Sequence, residues 1–187
     1  MRKNYLLTPG PTPLPPQVSE AMSRPIIHHR TPQFQAVLKE ATEGLKYVFQ
    51  TKGDVFILAS SGTGAMEAAV VNLLSPGDTA ITIQGGKFGE RWTEICKNYG
   101  ITPEIIDVEW GKAVDPAEIE KRLKANPKMI KAVFTTLCET STGVVNDIAA
   151  IGRVLKDTNA VLAVDAISGL GAIDLQTFFK SRAAVRI

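Results

Sequence analysis

The sequence predicts an α/β domain whose mostly parallel sheet is covered by helices on both faces. Three observations predict it. Short apolar runs alternate with segments of helical periodicity. The runs are continuous rather than alternating, as in strands buried on both sides. Turn residues punctuate nearly every junction.

The elements follow in chain order. Pro9, Pro11, Pro13, Pro15 and Pro16 lie in a proline-rich opening that forbids a helix and favours an extended arm over residues 1–30. A helix is expected from about Pro32 to Gln50, where Phe34, Val37, Leu38, Ala41, Leu45, Val48 and Phe49 recur at steps of three and four. "VFILAS" (55–60) reads as a short buried strand, followed by the turn "SGTGA" and a helix from about Gly64 to Leu74. "SPGD" (75–78) has Pro and Gly where a type II turn wants them. "TAITIQ" (79–84) is a second strand, and "GGKFGERWTEICKNYG" a glycine-flanked helix ending near Gly100. "PEIIDVE" (103–109) is a third strand. Asp115, Pro116 and Glu118 match the N-cap, N1 and N3 of a helix reaching about Ala125. "IKAVFTTL" (130–137) is a fourth strand, Asn146 is the expected cap of a helix to about Lys156, and "AVLAVDAI" (160–167) is a fifth strand.

Composition bounds the function. The 187 residues are 44% hydrophobic and 21% charged, with a net charge of +2 and no basic block, which argues against a nucleic-acid partner. No apolar run approaches a membrane span, and "MRKNYLLTPGPTPLPPQ" lacks the apolar region of a signal peptide. Cys96 and Cys138 have no metal-ligand spacing and read as reduced thiols of a cytoplasmic protein. No metal site is expected. His28 and His29, without acids or cysteines nearby, read as structural or surface residues; Trp92 reads as packing, and Glu67 as a residue that orients the turn before it.

Ligands of open parallel sheets gather at the carboxyl ends of strands. After the first expected strand, Thr63, Gly64 and Ala65 open a helix whose free N–H groups and dipole suit a phosphate, although the turn is neither a Rossmann fingerprint nor a Walker A loop. After the second, Phe88 stands among glycines and could cover a flat ligand or anchor the next helix. After the fourth come the hydroxyls of "CETSTG" (138–143). On the fifth, Asp165 ends an apolar run; it binds local backbone N–H groups or faces a cationic ligand atom. Together these are what pyridoxal phosphate needs: an amide cradle for its phosphate, a stacking aromatic, and a carboxylate that keeps its pyridine nitrogen protonated.

The motifs "LLTPGPTPLPPQV", "HHRTPQF", "SSGTGAMEAAVVNLLSPGD", "ETSTGV" and "VDAISGLGA", in that order, make the chain resemble the class V aminotransferases, which are fold-type-I pyridoxal-phosphate enzymes. The likeness is strongest to the alanine–glyoxylate and serine–pyruvate branch and covers about residues 4–175. It implies that Thr63, Gly64 and Ala65 hold the phosphate. Phe88 stacks on the ring in place of an aromatic that is often Trp. Thr140 meets the phenolic oxygen, Asp165 pairs with the pyridine nitrogen, and Ile167 packs on the opposite ring face. Gly10 lies near the substrate. The implied reaction moves an amino group between a small amino acid, such as alanine or serine, and a 2-oxo acid, such as glyoxylate or pyruvate. The family is usually homodimeric, with its site at the subunit interface.

The resemblance also implies a Schiff-base lysine roughly two dozen residues beyond the strand aspartate, after another strand ending in a "GSQK"-like motif. Neither that strand nor that motif is legible here. Lys180, 15 residues after Asp165 in "TFFKSRAAVRI", does not match. Residues 31–175 therefore read as part of a cofactor-binding large domain, incomplete by comparison with the family, and 176–187 as an atypical basic tail resembling an altered reading frame. An unpaired sheet edge would favour self-association. Two other readings stay open: another fold-type-I branch such as a cysteine desulfurase or lyase, and a catalytically silent α/β domain that binds a phosphorylated ligand or a partner chain.

The chain by itself is expected to show no transamination and weak cofactor binding, with no catalytic residue of its own. The check is incubation with pyridoxal phosphate, borohydride reduction and peptide mapping; a cofactor adduct on Lys180 would contradict the expectation.

Overall fold

The computed structural model describes residues 6–173 and the backbone of a strand at 184–186. The chain divides into two compact units, residues 1–47 with 51–56, and residues 48–50 with 57–187.

The first unit holds helix α1 (Pro16–Met22) and most of α2 (Pro32–Phe49). The extended arm expected over residues 1–30 is thus interrupted. Pro15 is extended, but Pro16 takes the first helical position, where proline loses no hydrogen bond. Thr31 Oγ1 accepts from the Phe34 N–H at 3.3 Å at the start of α2. Gln50, at φ +51°, ends that helix.

The second unit carries α3 (Gly62–Leu73), β1 (Thr79–Gln84), α4 (Lys87–Asn98), β2 (Thr102–Asp107), α5 (Pro116–Ala125) and β3 (Ile130–Thr136). A small antiparallel pair, β4 (Cys138–Glu139) with β5 (Val144–Val145), precedes α6 (Ile148–Leu155), β6 (Val161–Asp165) and β7 (Ala184–Arg186). The main sheet has the order β2-β1-β3-β6-β7, and every pairing in it is parallel.

Successive strand residues face opposite ways, so the sheet builds two cores. Ile81 and Ile83 of β1, Val133 of β3, and Leu162 and Val164 of β6 join Ile119 and Leu123 of α5 and Ile148 and Ile151 of α6. Their neighbours Ala80, Ala132, Phe134 and Ala163 join Met66 and Val70 of α3 and Trp92, Ile95 and Cys96 of α4. Trp92 is a packing residue, as expected: it is buried, stacks on Phe134 at 4.7 Å, and donates from Nε1 to the Thr135 carbonyl. Asp165 continues the alternation of Ala163 and so belongs to the α3/α4 face.

Three expectations are corrected. "VFILAS" forms no strand; Phe56 and Ile57 are 82% and 55% exposed. An apolar run becomes a strand only where a neighbour offers a ladder, and none of the described strands pairs with it. The cap of α6 is Asp147, whose Oδ1 accepts from the Ala150 N–H at 2.8 Å. Asn146 is buried instead, accepting from the Val114 N–H and donating to the Thr136 carbonyl, both at 3.0 Å. Finally, a strand does follow Asp165: Ala184–Arg186 pairs with Leu162–Val164. Lys180 and the rest of the expected tail lie outside the described residues.

Asn146→Ala should cost about 2–3 kcal/mol, because it strands two backbone groups that Asn146 satisfies away from water. Urea unfolding of the variant against the parent chain measures this.

Candidate functional site

The carboxyl ends of β1, β3 and β6 bring together residues that are far apart in sequence. The first of them stand on α3. Ser61 is its N-cap residue, yet its side chain makes no cap bond. Among the described residues, the N–H groups of Gly62, Thr63 and Gly64 therefore have neither an intrahelical acceptor nor a side-chain substitute. Gly64 leaves room for the Ser60 hydroxyl, which a Cβ there would force to turn away. Ala65 is partly buried in the same turn, and its N–H bonds the Ser61 carbonyl at 3.3 Å.

Phe88 is half-buried in the first turn of α4. Glu139 holds that turn. Its carboxylate, 2% exposed, accepts from the backbone N–H of Phe88 at 3.3 Å and of Gly89 at 3.0 Å. It also accepts from the Ser141 hydroxyl at 2.7 Å, while the Ser141 oxygen accepts from the Lys87 N–H. A buried carboxylate is tolerable here because it ends on the amides and positive pole of a helix. Gly86 must be glycine, because a Cβ would run into the Glu139 side chain.

The hairpin that carries Glu139 also carries Thr140, and the Thr140 and Ser168 hydroxyls are hydrogen-bonded to each other. Ser168 follows β6 by three residues, so this bond links two strand ends. Asp165 ends β6 at 5% exposure. Its Oδ1 accepts from the Ile167 N–H at 3.0 Å; among the described residues Oδ2 has no hydrogen-bond partner. Burial pushes the Asp165 carboxyl above the usual carboxylate range, with Glu139 adding to the effect; the Ile167 N–H and the Arg91 guanidinium act against it. Ile167 is exposed, and its Cδ1 lies 3.3 Å from where a Cβ on Gly62 would stand, so the end of β6 and the α3 turn are neighbours.

Thr63, Gly64, Ala65, Phe88, Thr140, Asp165 and Ile167 all belong to the second unit, at one end of its sheet. Gly10 belongs to the first unit, in a turn where the Thr8 hydroxyl donates to the Pro11 carbonyl at 2.9 Å. Sequence reading passed over three residues of the region. Glu139 and Ser168 gave no signal beyond their place in the hydroxyl-rich loops. Arg91 stands one helical turn after Phe88, a spacing that could have marked it. The expected orienting role of Glu67 has no hydrogen bond behind it among the described residues; Arg91 instead donates from Nη1 to Thr63 Oγ1 at 3.0 Å. Both cysteines are free, and burial pushes the Cys96 thiol up to about 12, which makes it inert. No described helix is long and apolar enough to cross a membrane.

Comparison with known proteins gives a family. The class-V aminotransferase family model matches residues 4–178. The chain is 45% identical over 175 residues to the soluble hydrogenase 42 kDa subunit of Anabaena cylindrica, covering 92% of this chain and 46% of that protein. It is 38% identical over 178 residues to the L-aspartate–glyoxylate aminotransferase of Paracoccus denitrificans, covering 93% and 45%. The crystal structure of ureidoglycine–glyoxylate aminotransferase from Bacillus subtilis superposes with a TM-score of 0.87 at 30% identity, covering 96% of this chain and 46% of that one. The chain thus spans about half the length of the curated relatives it matches.

The Asp165 carboxyl gives a pH test. Its folded form holds a proton more tightly than the unfolded one, so stability falls as pH rises from the usual carboxylate range through the raised folded value. Asp165→Asn keeps an acceptor for the Ile167 N–H and removes the buried charge. It should raise Tm at pH 7 by about 2 °C or more, a gain that vanishes below about pH 4. Thermal melts of both proteins across that range check the sign.

Proposed function

The chain belongs to the class-V aminotransferase family, and on that premise we propose that its second unit holds pyridoxal phosphate at the sheet end for amino transfer between a small amino acid and a 2-oxo acid. The single observation that carries the cofactor assignment is Asp165, buried with Oδ2 unpartnered among the described residues, at the end of a strand whose next residues reach an uncapped helix N-terminus. A protonated ring nitrogen would satisfy that oxygen, and the first-turn amides of α3 would take the phosphate. The residues present fit the cofactor.

Each residue then has a physical task. Thr63 and Gly64 anchor the phosphate through their amides and the Thr63 hydroxyl, and Ala65, its N–H already bonded to the Ser61 carbonyl, lines the same turn. Phe88 covers one ring face and Ile167 the other, which excludes water from both. Thr140 meets the phenolic oxygen, with Ser168 fixing the direction of its hydroxyl. Asp165 holds a proton at the ring nitrogen. When bound, pyridoxal phosphate supplies an electron sink for bonds broken at the α-carbon of the amino acid. The working enzyme is a homodimer in this reading.

Glyoxylate as the acceptor is supported by relatives whose names carry it, among them those from Paracoccus and Bacillus. Alanine or serine is the proposed donor. The alternative of a silent domain for phosphorylated ligands uses the α3 turn but leaves Asp165 unexplained.

The test is titration with pyridoxal phosphate followed by circular dichroism in its absorption band, where a ring held in a chiral site gives a signal. Asp165→Ala should weaken binding about tenfold or more, and ribose 5-phosphate should compete poorly. Equal binding of the two ligands, with no effect of Asp165→Ala, would favour the silent domain.

A further inference from the structure

We propose that Arg91 is a positioning residue for the phosphate end of this site, fixing the Thr63 hydroxyl so that its proton is offered to the bound phosphate. The inference rests on the cofactor reading above and deepens it. Arg91 stands on α4, and its Nη1 reaches across to Thr63 Oγ1 at 3.0 Å. An arginine can only donate, so the threonine oxygen must accept. A hydroxyl has one proton and two lone pairs. With one lone pair occupied by Arg91, the proton is free for a second acceptor.

Two further observations point the same way. Arg91 is half-buried, yet no carboxylate among the described residues lies within ion-pair distance of it, whereas Lys87, Lys112, Arg122 and Lys124 all have one. A half-buried guanidinium with no carboxylate at ion-pair distance among the described residues is a place where an anion gains. The guanidinium carbon also lies 5.1 Å from the centre of the Phe88 ring. One planar cation therefore ties the α3 turn to the aromatic side chain of α4, so that phosphate grip and ring cover are set together. The raised but Arg91-opposed titration of Asp165 is consistent with a guanidinium lying on the Asp165 side of the α3 turn.

The experiment uses the full chain and the variants Arg91→Met, Arg91→Lys, Thr63→Val and the double variant Thr63→Val/Arg91→Met. Each is titrated calorimetrically with pyridoxamine 5′-phosphate, with pyridoxamine, and with inorganic phosphate. Arg91→Met should weaken pyridoxamine 5′-phosphate about tenfold and leave pyridoxamine unchanged. Arg91→Lys should recover part of the loss. In the Thr63→Val background, Arg91→Met should cost much less than tenfold, since the arginine acts through the hydroxyl. Unchanged or tighter binding by Arg91→Met, equal losses for both pyridoxamine ligands, or additive losses in the double variant would overturn the assignment. If the parent chain refuses pyridoxamine 5′-phosphate but takes inorganic phosphate in an Arg91-dependent way, the cofactor reading fails and the positioning role stands.

Discussion

A parallel sheet exposes no face to water, and the second unit is organised by that constraint. Its strands alternate between a core shared with α5 and α6 and a core shared with α3 and α4. Side chains in the interiors of β1, β3 and β6 are therefore mostly apolar or internally satisfied until a strand ends. At the strand ends the constraint relaxes and polar residues accumulate. Asp165, Thr140, Glu139 and the turn before α3 lie there because apolar packing excludes them from the strand interiors.

Glu139 shows how such a region is stiffened. Its carboxylate lies at the start of α4 and takes hydrogen bonds from the backbone amides of Phe88, Gly89 and Ser141 and from the Ser141 hydroxyl. That fixes the helix that presents Phe88 and Arg91. Arg91 in turn reaches Thr63, and the Thr140–Ser168 bond joins the hairpin to the end of β6. The result is a chain of contacts running from α3 through α4 and the hairpin to β6. Among the described residues, Asp165 is the one buried carboxylate in it left with an unmatched oxygen. Charge that is costly to bury and not locally paired is what a ligand-binding site retains for its ligand.

Much of this was legible beforehand because it is local. Continuous apolar runs gave the four main strands at 79–84, 102–107, 130–136 and 161–165 nearly to the residue. Asp115 and Pro116 announced α5, and the Asp115 carboxylate does accept from the Ala117 N–H. Gly77 and Gly100 have the positive φ their turns need. Failures came where a partner distant in sequence decides. "VFILAS" has strand composition and no strand to pair with. Asn146 has cap chemistry, but two backbone groups left open by β3 and the approach to α5 claim it, and the cap passes to Asp147.

The amino-acid sequence by itself determined the alternating elements, the two-sided sheet and the set of strand-end residues, because hydrophobic period, turn chemistry and glycine placement act over a few neighbouring positions. Only the tertiary structure decided which of those residues come to one end of the sheet, which polar atoms are already satisfied and which are left over. Hydrogen bonds such as Arg91 to Thr63 and Glu139 to Gly89 span 28 and 50 residues. No short window of sequence contains both partners, so chain geometry alone could pair them.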